Sequence, residues 1–568
     1  MKKSKIVLLA TLIVMLAAFT DVFAVAVTVN LSAEKQMVRG FGGMNHPAWI
    51  GDLTAAQRET VFGNEPNQLG FTVLRIFVNE NSNDWQRDLP TAKWASDRGI
   101  LVFASPWNPP SSMRKTGQST YNSSAEYNNT KRIRTDMFSQ YVGHLNAFIK
   151  FMEDGGVNLH AISVQNEPDY GYHGDWTEWT GAEILTFMKE HAGNINSRVI
   201  TPEPFQYRKN ELNAILNDPV ALANTDIFST HLYGTLPRDF AYPLFKEKGA
   251  GKELWMTEVY HPNSSDSANV WPGALNTAVH VHRALVDGGF QAYVWWYIRR
   301  YYSPLFDNGT ISKRGWMMAH FSKFVRPGYL RVDATPAMPK AESPVNNSTG
   351  GNGGTFVSAY KGEDGKVVIV AVNRDAAATN IEFTINGGAV PTMEAWRTTG
   401  TQNMAKLSDI SLNNGSAFSV SIPAQSVTTF VGALPITPSS SSVVPSSSSS
   451  AVPSSSSAVS SSSKVSSSSS SVPSSSSTVN SSSSSSVPSS SSISESSSSE
   501  GESSSSTDET SSSSEEVTPI AHSLPPVVTS EIPAYYNIKG EPMGSAKPAK
   551  PGVYLVKRGK SVQKIVVR

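Results

Sequence analysis

Two glutamates stand where buried chemistry is expected, because each follows an apolar, strand-like run. Glu167 closes "HAISVQNE" and Glu258 closes "ELWMTE". A carboxylate at the end of such a run is costly to bury unless it is paired or takes part in a reaction. Two carboxyl groups facing one cavity can divide the acid and nucleophile work of cleaving a glycosidic bond. Either glutamate alone is as readily a structural ion-pair partner, but the two together, with Asn166 before Glu167, favour a glycosidase site.

Other strand-like runs carry polar and aromatic residues that suit the same chemistry. Arg75 lies inside "VLRIFV" and is expected to hold a nucleophilic carboxylate ionised through charge-assisted hydrogen bonds. Asn166 could hydrogen-bond a sugar 2-hydroxyl. The remaining candidates for sugar contact are Trp49, Trp107, His231 and Tyr233. Each aromatic ring could equally be a core residue.

The segment Tyr293–Pro304, "YVWWYIRRYYSP", sets two adjacent arginines among six aromatic side chains. It is too aromatic for a solvated loop and too charged for an ordinary buried strand. A guanidinium fork matches the planar geometry of a carboxylate better than an ammonium group does, and aromatic faces suit sugars. The segment therefore suggests a site for a sugar that carries a planar anion.

The elements that must position these residues follow an alternating pattern. From residue 40 to about 330, strand-like runs alternate with helical stretches such as Met137–Glu153. Such repeated alternation predicts a (β/α)8 barrel with a parallel sheet. A doubly wound α/β sheet is the alternative, but no Gly-rich phosphate loop follows the first strand. In a barrel the strand ends share one face, so the candidate residues would meet there.

The rest of the chain divides into three parts. Residues 331–435 alternate like strands around an Asp364–Gly365 hairpin turn, which predicts a side antiparallel β-domain joined by an N-terminal strand at 26–39. Residues 436–517 are almost all serine and too poor in apolar residues to form a core, so a disordered linker is expected. The small basic β tail, 518–568, carries eight Lys and Arg against two Glu over 531–568.

Residues 1–24 read as a signal peptide, with a basic start, an apolar run and small residues before the expected cleavage site. An uncleaved membrane anchor is the alternative, but the apolar run is short for a spanning helix. The chain has no cysteine, which excludes disulfides and thiolate chemistry, and a net charge of zero, which gives no sign of nucleic-acid binding. We expect no metal, no cofactor, a monomer, and a secreted or cell-surface location.

Four motifs resemble the family 30 glycoside hydrolases, in particular the bacterial glucuronoxylan-specific endo-β-1,4-xylanases. They are "VQNEPDY", "LWMTEVYHPNSSDS", "VWWYIRRYYSPL" and "ISKRGWMMAHFSKFVRPG". The resemblance spans residues 27 to 434 and implies a barrel fused to a side β-structure. It also implies a retaining mechanism, with Glu167 as acid/base after the fourth strand and Glu258 as nucleophile after the seventh.

The same resemblance implies a pocket for the 4-O-methylglucuronate branch of xylan. Arg300 would ion-pair the uronate carboxylate, and the surrounding residues would be Trp296, Tyr297, Tyr302, Tyr260 and a serine. The serine spacing departs from the family pattern, so Ser264 or Ser265 could serve, and Asn263 could intrude. Arg299, adjacent in an extended chain, should point to the opposite side and be structural.

Two further functions stay open at this point. A family relative acting on β-glucans or glucosylceramide would share the glutamate pair but lack the "YIRRYY" pocket, and a catalytically silent polysaccharide-binding protein belongs to a different class. The basic tail resembles C-terminal domains that guide or anchor secreted proteins, so we expect it to engage secretion or cell-surface machinery. A small carbohydrate-binding module is the alternative for the tail.

Overall fold

A computed structural model describes residues 24–170, 176–342 and 353–435, together with four strands between residues 534 and 567. Residues 1–23 of the expected signal peptide and all of the expected Ser-rich linker lie outside the described residues. Among the helices described, none has the length and apolar character that crossing a membrane requires.

Eight parallel strands close into a barrel, in which each strand pairs with the next along the chain and the last pairs with the first. The strands are β2 (Gly40–Met44), β3 (Val73–Val78), β4 (Leu101–Pro106), β7 (Leu159–Ser163), β8 (Val199–Ile200), β9 (Ile227–His231), β10 (Glu253–Val259) and β11 (Ala292–Trp295). The barrel confirms the predicted fold class. Most of these strands contribute at least one apolar side chain to the barrel interior, including Val73, Phe103, Ile200 and Trp255.

Helices connect the strands and cover the barrel from outside. They are α1 (Pro47–Ile50), α2 (Ala55–Phe62), α3 (Leu89–Ser96), α4 (Phe138–Asp154), α5 (Gly181–Glu190), α6 (Lys209–Asn217), α7 (Pro219–Ala223), α8 (Pro243–Lys248), α9 (Leu275–Val286) and α10 (Lys313–Ser322). Short 3₁₀ turns lie at Ser82–Arg87, Ser111–Met113, Ala125–Tyr127, Thr135–Met137, Ala192–Asn194 and Pro237–Asp239.

Local sequence explains where these helices begin and which face they bury. In α4 the buried residues recur at helical spacing, from Phe138 and Tyr141 through Leu145 to Phe148 and Met152, so one stripe faces the strands. At the start of α5, Thr180 accepts a hydrogen bond from the Glu183 amide while the Glu183 side chain accepts one from the Thr180 amide. This capping box satisfies two amide groups that a helix start leaves unpaired.

The first barrel strand is built from "GFGGM" because its neighbours approach too closely for side chains. A Cβ added at Gly42 would lie 1.7 Å from the carbonyl oxygen of Val73, and one at Gly43 would lie 2.7 Å from Ile298. Only glycine permits this backbone approach. The strand end at Met44 and the loop holding Ile298 are thereby brought together at one rim.

A ten-stranded sheet forms the side β-domain. Its strands are β1 (Val25–Met37), β12 (Leu330–Thr335), β13 (Thr355–Lys361), β14 (Lys366–Asn373), β15 (Thr379–Asn386), β16 (Thr392–Thr398), β17 (Ala405–Lys406), β18 (Ile410–Ser411), β19 (Ala417–Ile422) and β20 (Ser426–Ala433). The N-terminal strand joins it as expected, but β1 runs parallel to β15 rather than antiparallel. A hairpin forces antiparallel pairing only between consecutive strands, and β1 arrives from the distant N-terminus.

The side sheet packs on the barrel through α9 and α10. His320 lies within hydrogen-bonding distance of Thr429 and Thr398, at 2.8 and 2.9 Å, and Arg283 binds Glu342 at 2.7 Å while stacking on Phe356. The histidine is fully buried. These contacts bury polar groups in pairs, which fixes the two parts against each other.

Two smaller sheets complete the described structure. An antiparallel pair that the sequence did not predict, β5 (Arg114–Gly117) and β6 (Thr130–Ile133), rises from the connection after β4. In the tail, β21 (Ala534–Asn537), β22 (Pro542–Gly544), β23 (Gly552–Arg558) and β24 (Ser561–Val567) form an antiparallel sheet in the order β22-β21-β23-β24.

Candidate active site

The carboxyl ends of the barrel strands bring the two predicted glutamates together. Glu258 lies within β10, whereas Glu167 lies beyond β7 and has a positive φ of 41°. Both are buried, with 2 % and 1 % of their surface exposed. One oxygen of each carboxyl group and a ring nitrogen of His231 all lie within 4.8 Å of one another. Unfavourable backbone geometry at a reacting position is typical of functional sites, where the surrounding fold maintains it.

Arg75, fully buried inside β3, connects the residues around the glutamate pair. Its guanidinium donates to Glu258, to Asn166 Oδ1 at 2.7 Å and to Glu203 Oε2 at 3.0 Å. Its Nε donates to Ser105 at 3.1 Å. Because all three guanidinium nitrogens are engaged, the arginine has one orientation, and Asn166 is held beside Glu258 with its carbonyl oxygen committed to Arg75.

The two glutamates have different surroundings. Burial raises the pKa of Glu167, the negative charge of Glu258 raises it further, and the hydrogen bond with His231 lowers it only in part. Glu167 is therefore poised to carry a proton well above the pH at which a free carboxyl group loses one. Glu258 instead accepts hydrogen bonds from Arg75 and from the Tyr233 hydroxyl, the latter at 2.9 Å. A proton donor beside a carboxylate that hydrogen bonds hold in place is the pairing that glycosidic cleavage needs.

Aromatic rings form one wall next to the glutamates. His46 stacks on Trp49 with ring centroids 4.0 Å apart, and Trp107 packs against Trp49 and Trp296 at 6.0 Å each. Trp107 also stacks under the Arg75 guanidinium at 4.8 Å. Trp49 is 51 % exposed, so its indole offers an open apolar face of the kind that pyranose rings cover, while Trp107 and Trp296 are buried.

The segment after β11 carries a guanidinium without an anionic partner. Arg300 stacks over the Tyr297 ring at 5.4 Å. Among the described residues, its buried Nε has no hydrogen-bond partner and no acidic side chain forms an ion pair with it. Tyr297 has a positive φ of 38°. Tyr302 lies 5.6 Å from the ring of Tyr260, which lies 4.9 Å from Tyr233. The five predicted uronate-pocket residues with rings or guanidinium groups thus lie together beside the glutamate pair, with a cation open to a ligand.

The loop after β10 carries the serines whose spacing departs from the family pattern. Ser264 and Tyr260 share a side-chain hydrogen bond, and the Ser264 carbonyl accepts one from the Tyr301 hydroxyl at 2.5 Å. Asn263, the residue that could intrude, donates its side-chain amide to Asp266 at 2.9 Å. Ser264 therefore lies against two tyrosines, Tyr260 and Tyr301.

Arg299 has a separate role from its neighbour. It donates to the carbonyl oxygens of Ile50 and Gly51, at 2.5 and 3.3 Å, and to Gln57 at 3.2 Å. These contacts tie the segment after β11 to the loop after β2, the structural role expected for it. His231 is expected from the sequence to contact the substrate. Its ring nitrogens instead face the carboxyl groups of Glu167 and Glu203, at 2.9 and 3.5 Å, so its contacts are with these acids.

Comparisons with known proteins identify the family of the chain. The model for the glycosyl hydrolase family 30 beta sandwich domain matches residues 345–430. Glucuronoxylanase XynC of Bacillus subtilis strain 168 is 56 % identical over 414 residues, which is 72 % of this chain and 93 % of that protein. The chain belongs to glycoside hydrolase family 30.

Solved structures resemble the family 30 hydrolase over the same region. A GH30 endoxylanase from Clostridium papyrosolvens C71 is 41 % identical with a TM-score of 0.63, covering 72 % of this chain and 100 % of that one. The subfamily 8 xylanase Xyn30A from Clostridium acetobutylicum is 32 % identical with a TM-score of 0.62 and the same coverage.

Sequence reasoning missed one buried acid of the family 30 hydrolase. Glu203 follows β8 and is fully buried, bound to Arg75 and facing His231. The signal was present, because "TPEPF" sets Glu–Pro after a short apolar run just as "QNEP" does. That run, "RVI", is shorter than the other strands, and a two-residue strand does not stand out as a barrel strand.

Proposed function

We propose that this family 30 hydrolase is a secreted, retaining endo-β-1,4-xylanase that cleaves glucuronoxylan at positions set by (4-O-methyl)glucuronic acid branches. Its relatives named above are a glucuronoxylanase and two xylanases. The observation that carries the proposal is the cation at Arg300, which has no acidic partner among the described residues and lies beside a buried glutamate pair. A site for β-glucans would have no use for that guanidinium.

In the first half of the reaction, Glu258 attacks the anomeric carbon while the glycosidic C–O bond breaks. The leaving oxygen takes the proton of Glu167, whose pKa is raised by burial so that the proton is still present near neutral pH. Arg75 and Tyr233 orient the attacking carboxylate. Asn166 keeps its amide nitrogen, which has no partner among the described residues, for the sugar 2-hydroxyl.

In the second half, Glu167 takes a proton from water, and the oxygen of that water displaces Glu258 from the anomeric carbon. Two inversions give net retention. The separation supports this course, since retaining enzymes hold their carboxyl groups about 5–5.5 Å apart and inverting enzymes roughly 6.5–9.5 Å apart. The oxygens of Glu167 and Glu258 that face each other lie within 4.8 Å.

The Arg300 pocket supplies the specificity. A uronate carboxylate seated there gains a charge-assisted pair with the guanidinium and hydrogen bonds from hydroxyls of the surrounding tyrosines. The Tyr297 hydroxyl is buried without a partner among the described residues, so a bound uronate oxygen would satisfy it. A branch held in this way fixes which backbone linkage lies over Glu167 and Glu258.

Product analysis on glucuronoxylan tests the proposal. Each product should carry one glucuronate at a fixed position relative to its reducing end, and the first-formed anomer, followed by proton NMR, should be β. Products without uronates, or faster cleavage of unbranched xylan or a β-glucan, would favour another substrate. A first-formed α-anomer would refute retention.

A further inference from the structure

The buried acid Glu203 has no role in bond cleavage as described so far. It is fully buried, bound through Oε2 to the Arg75 guanidinium at 3.0 Å and facing His231 Nε2 at 3.5 Å, and its Oε1 has no described partner. A buried carboxylate of this kind is costly, so its position needs a reason.

His231 lies between three carboxyl groups. Its Nδ1 is 2.9 Å from Glu167 and 3.8 Å from Glu258, and its Nε2 faces Glu203 at 3.5 Å. A neutral imidazole has one N–H and one lone pair, whereas the imidazolium donates from both nitrogens. Because both ring nitrogens face carboxyl oxygens, which accept hydrogen bonds whether or not the acid is ionised, the imidazolium is the form that can donate on each side.

The net charge of the buried cluster also favours a positively charged His231. Before cleavage Glu167 is protonated, so the negative charges of Glu258 and Glu203 face the single positive charge of Arg75 unless His231 is also positive. When Glu258 becomes an ester it loses its charge, and Glu167, having given its proton to the leaving oxygen, becomes the anion. With His231 positive and Glu203 negative throughout, the buried cluster is neutral in both states, and a buried net charge is strongly unfavourable.

We propose that Glu203 is a positioning residue that keeps His231 doubly protonated, so that a fixed cation stands between the two glutamates as the negative charge passes from one to the other. The transfer part of this inference rests on the proposed function. The charge state of His231 does not, because it follows from the contacts of the resting site.

The groups around His231 also raise its pKa, which favours the positively charged form. Burial alone would lower its pKa, but the charge of Glu258 and the hydrogen bonds to Glu167 and Glu203 outweigh burial and raise the pKa to about 9. The titratable and charged groups that face or act on it are Arg75, Glu167, Asp169, Glu203, Tyr233 and Glu258. Four of these are acids, so the field favours the cation.

The charge can be measured directly at pH 8 on the untagged full chain labelled with ¹⁵N-histidine, by solid-state NMR of the ring nitrogens. An ordinary histidine is neutral there, and burial lowers the pKa of seven others: His46, His144, His160, His261, His280, His282 and His320. We expect an imidazolium signal that vanishes in His231→Gln. A wild-type spectrum without that signal would overturn the proposal.

Glu203→Gln tests which acid is responsible. The imidazolium signal should disappear in this variant and persist in Glu178→Gln, which removes another fully buried carboxylate without a contact to His231. Persistence in folded Glu203→Gln would overturn the role of Glu203. If Glu203→Gln does not fold, Glu203→Asp replaces it: a shorter acid withdraws the charge from His231, so a lower titration point supports the proposal and an unchanged one refutes it.

Kinetics separate this inference from the proposed function. In Glu203→Gln, kcat on glucuronoxylan should fall about 10- to 100-fold, the usual effect of losing a hydrogen bond to a charged group, with little change in KM. An aryl glycoside that needs no acid assistance should lose less in its first step. Loss in KM alone, with kcat unchanged, would contradict a role in charge transfer, whereas inactivity of the wild type on every xylan would refute the proposed function and leave the NMR result standing.

Discussion

Glu167 and Glu258 are the same residue type, and their different neighbours suit them to the opposite tasks proposed for them. Glu167 is buried beside a second carboxyl group, which raises its pKa. Glu258 receives donors from Arg75 and Tyr233. The first environment favours a proton donor, and the second orients a nucleophile.

Substitution of each glutamate by glutamine should therefore give different kinetic patterns. Glu258→Gln should lower kcat on every substrate by more than about 10⁴-fold, as removal of a nucleophile does in other hydrolases. Glu167→Gln should lower kcat on glucuronoxylan by about 10²–10⁴-fold, yet spare formation of the glycosyl-enzyme from an aryl xyloside with a good leaving group. Steady-state and burst kinetics measure both. A Glu167→Gln enzyme equally impaired on both substrates would contradict its role as the acid.

A site residue could be predicted from the sequence only where a long enough apolar run leads up to it or surrounds it. Glu167, Glu258 and Arg75 are visible because each interrupts or ends an apolar run of several residues. Glu203 ends a run too short to notice, and the role of His231 depends on three acids from distant strands. Such three-dimensional neighbours leave no local pattern.

At the scale of elements, the loops after β10 and β11 are tied together at the rim of the Arg300 pocket. Tyr301 is 52 % exposed, and its hydroxyl donates to the carbonyl of Ser264 at 2.5 Å. Its backbone carbonyl also accepts from Ala268 at 2.9 Å. The side-chain bond holds the serine against Tyr260, and so helps to shape the pocket wall.

Tyr301→Phe removes that hydrogen bond and keeps the ring. A typical hydrogen bond contributes about 0.5–1.5 kcal/mol, so KM on glucuronoxylan should rise about 2- to 10-fold, with no change on unbranched xylan. Tyr242→Phe is the matched control, since it loses a bond to Asn213 at 2.7 Å away from the pocket. A change in substrate preference in Tyr242→Phe, or none in Tyr301→Phe, would show that the bond does not shape the pocket.

The alternation of apolar runs and helical stretches was enough to predict the barrel, and the Asp364–Gly365 turn was enough to predict β-structure after it. Two features at this scale were not predictable from local patterns. The parallel pairing of β1 with β15 joins segments that are far apart in sequence, and the β5–β6 pair has only four residues in each strand. Long-range pairing and very short strands both lack a periodicity that one sequence reveals.

At the scale of the whole molecule, the site should weaken the fold at neutral pH. The pKa of Glu167 is raised above its unfolded value, so between those two values the folded state keeps a proton that the unfolded state has released. The free energy of unfolding then falls as pH rises through that interval. The stabilising contribution of the Glu167 proton is complete only at pH values below those at which an ordinary carboxyl group ionises.

Glu167→Gln should remove this loss of stability at neutral pH. At pH 7 its free energy of unfolding should exceed that of the wild type by at least about 1 kcal/mol, the equivalent of one pKa unit, whereas near pH 4 the two should agree. Urea denaturation at the two pH values measures the difference. A gain of the same size at both would mean that the effect comes from packing rather than from the proton.

The chain outside the barrel and side sheet should be dispensable for chemistry. Truncation after Leu434 removes the expected linker and the basic tail, and should leave turnover on soluble glucuronoxylan within a few-fold while changing export or surface retention. Cell fractionation and assays of the purified protein measure these separately. A folded but inactive truncated protein would contradict the assignment of chemistry to residues before 435, and unchanged export and retention would contradict the tail's expected role.

Arg300 is proposed to bind the uronate branch, and one comparison tests this role most directly: kcat/KM of Arg300→Ala on glucuronoxylan and on unbranched xylan. Loss of a charge-assisted pair in a partly buried pocket costs about 2–4 kcal/mol, or roughly 30- to 1000-fold. That loss should appear on glucuronoxylan alone, and Arg300→Lys, which keeps the charge but not the fork, should recover only part of it. Equal losses on both substrates would contradict the claim, because the arginine would then only support the barrel.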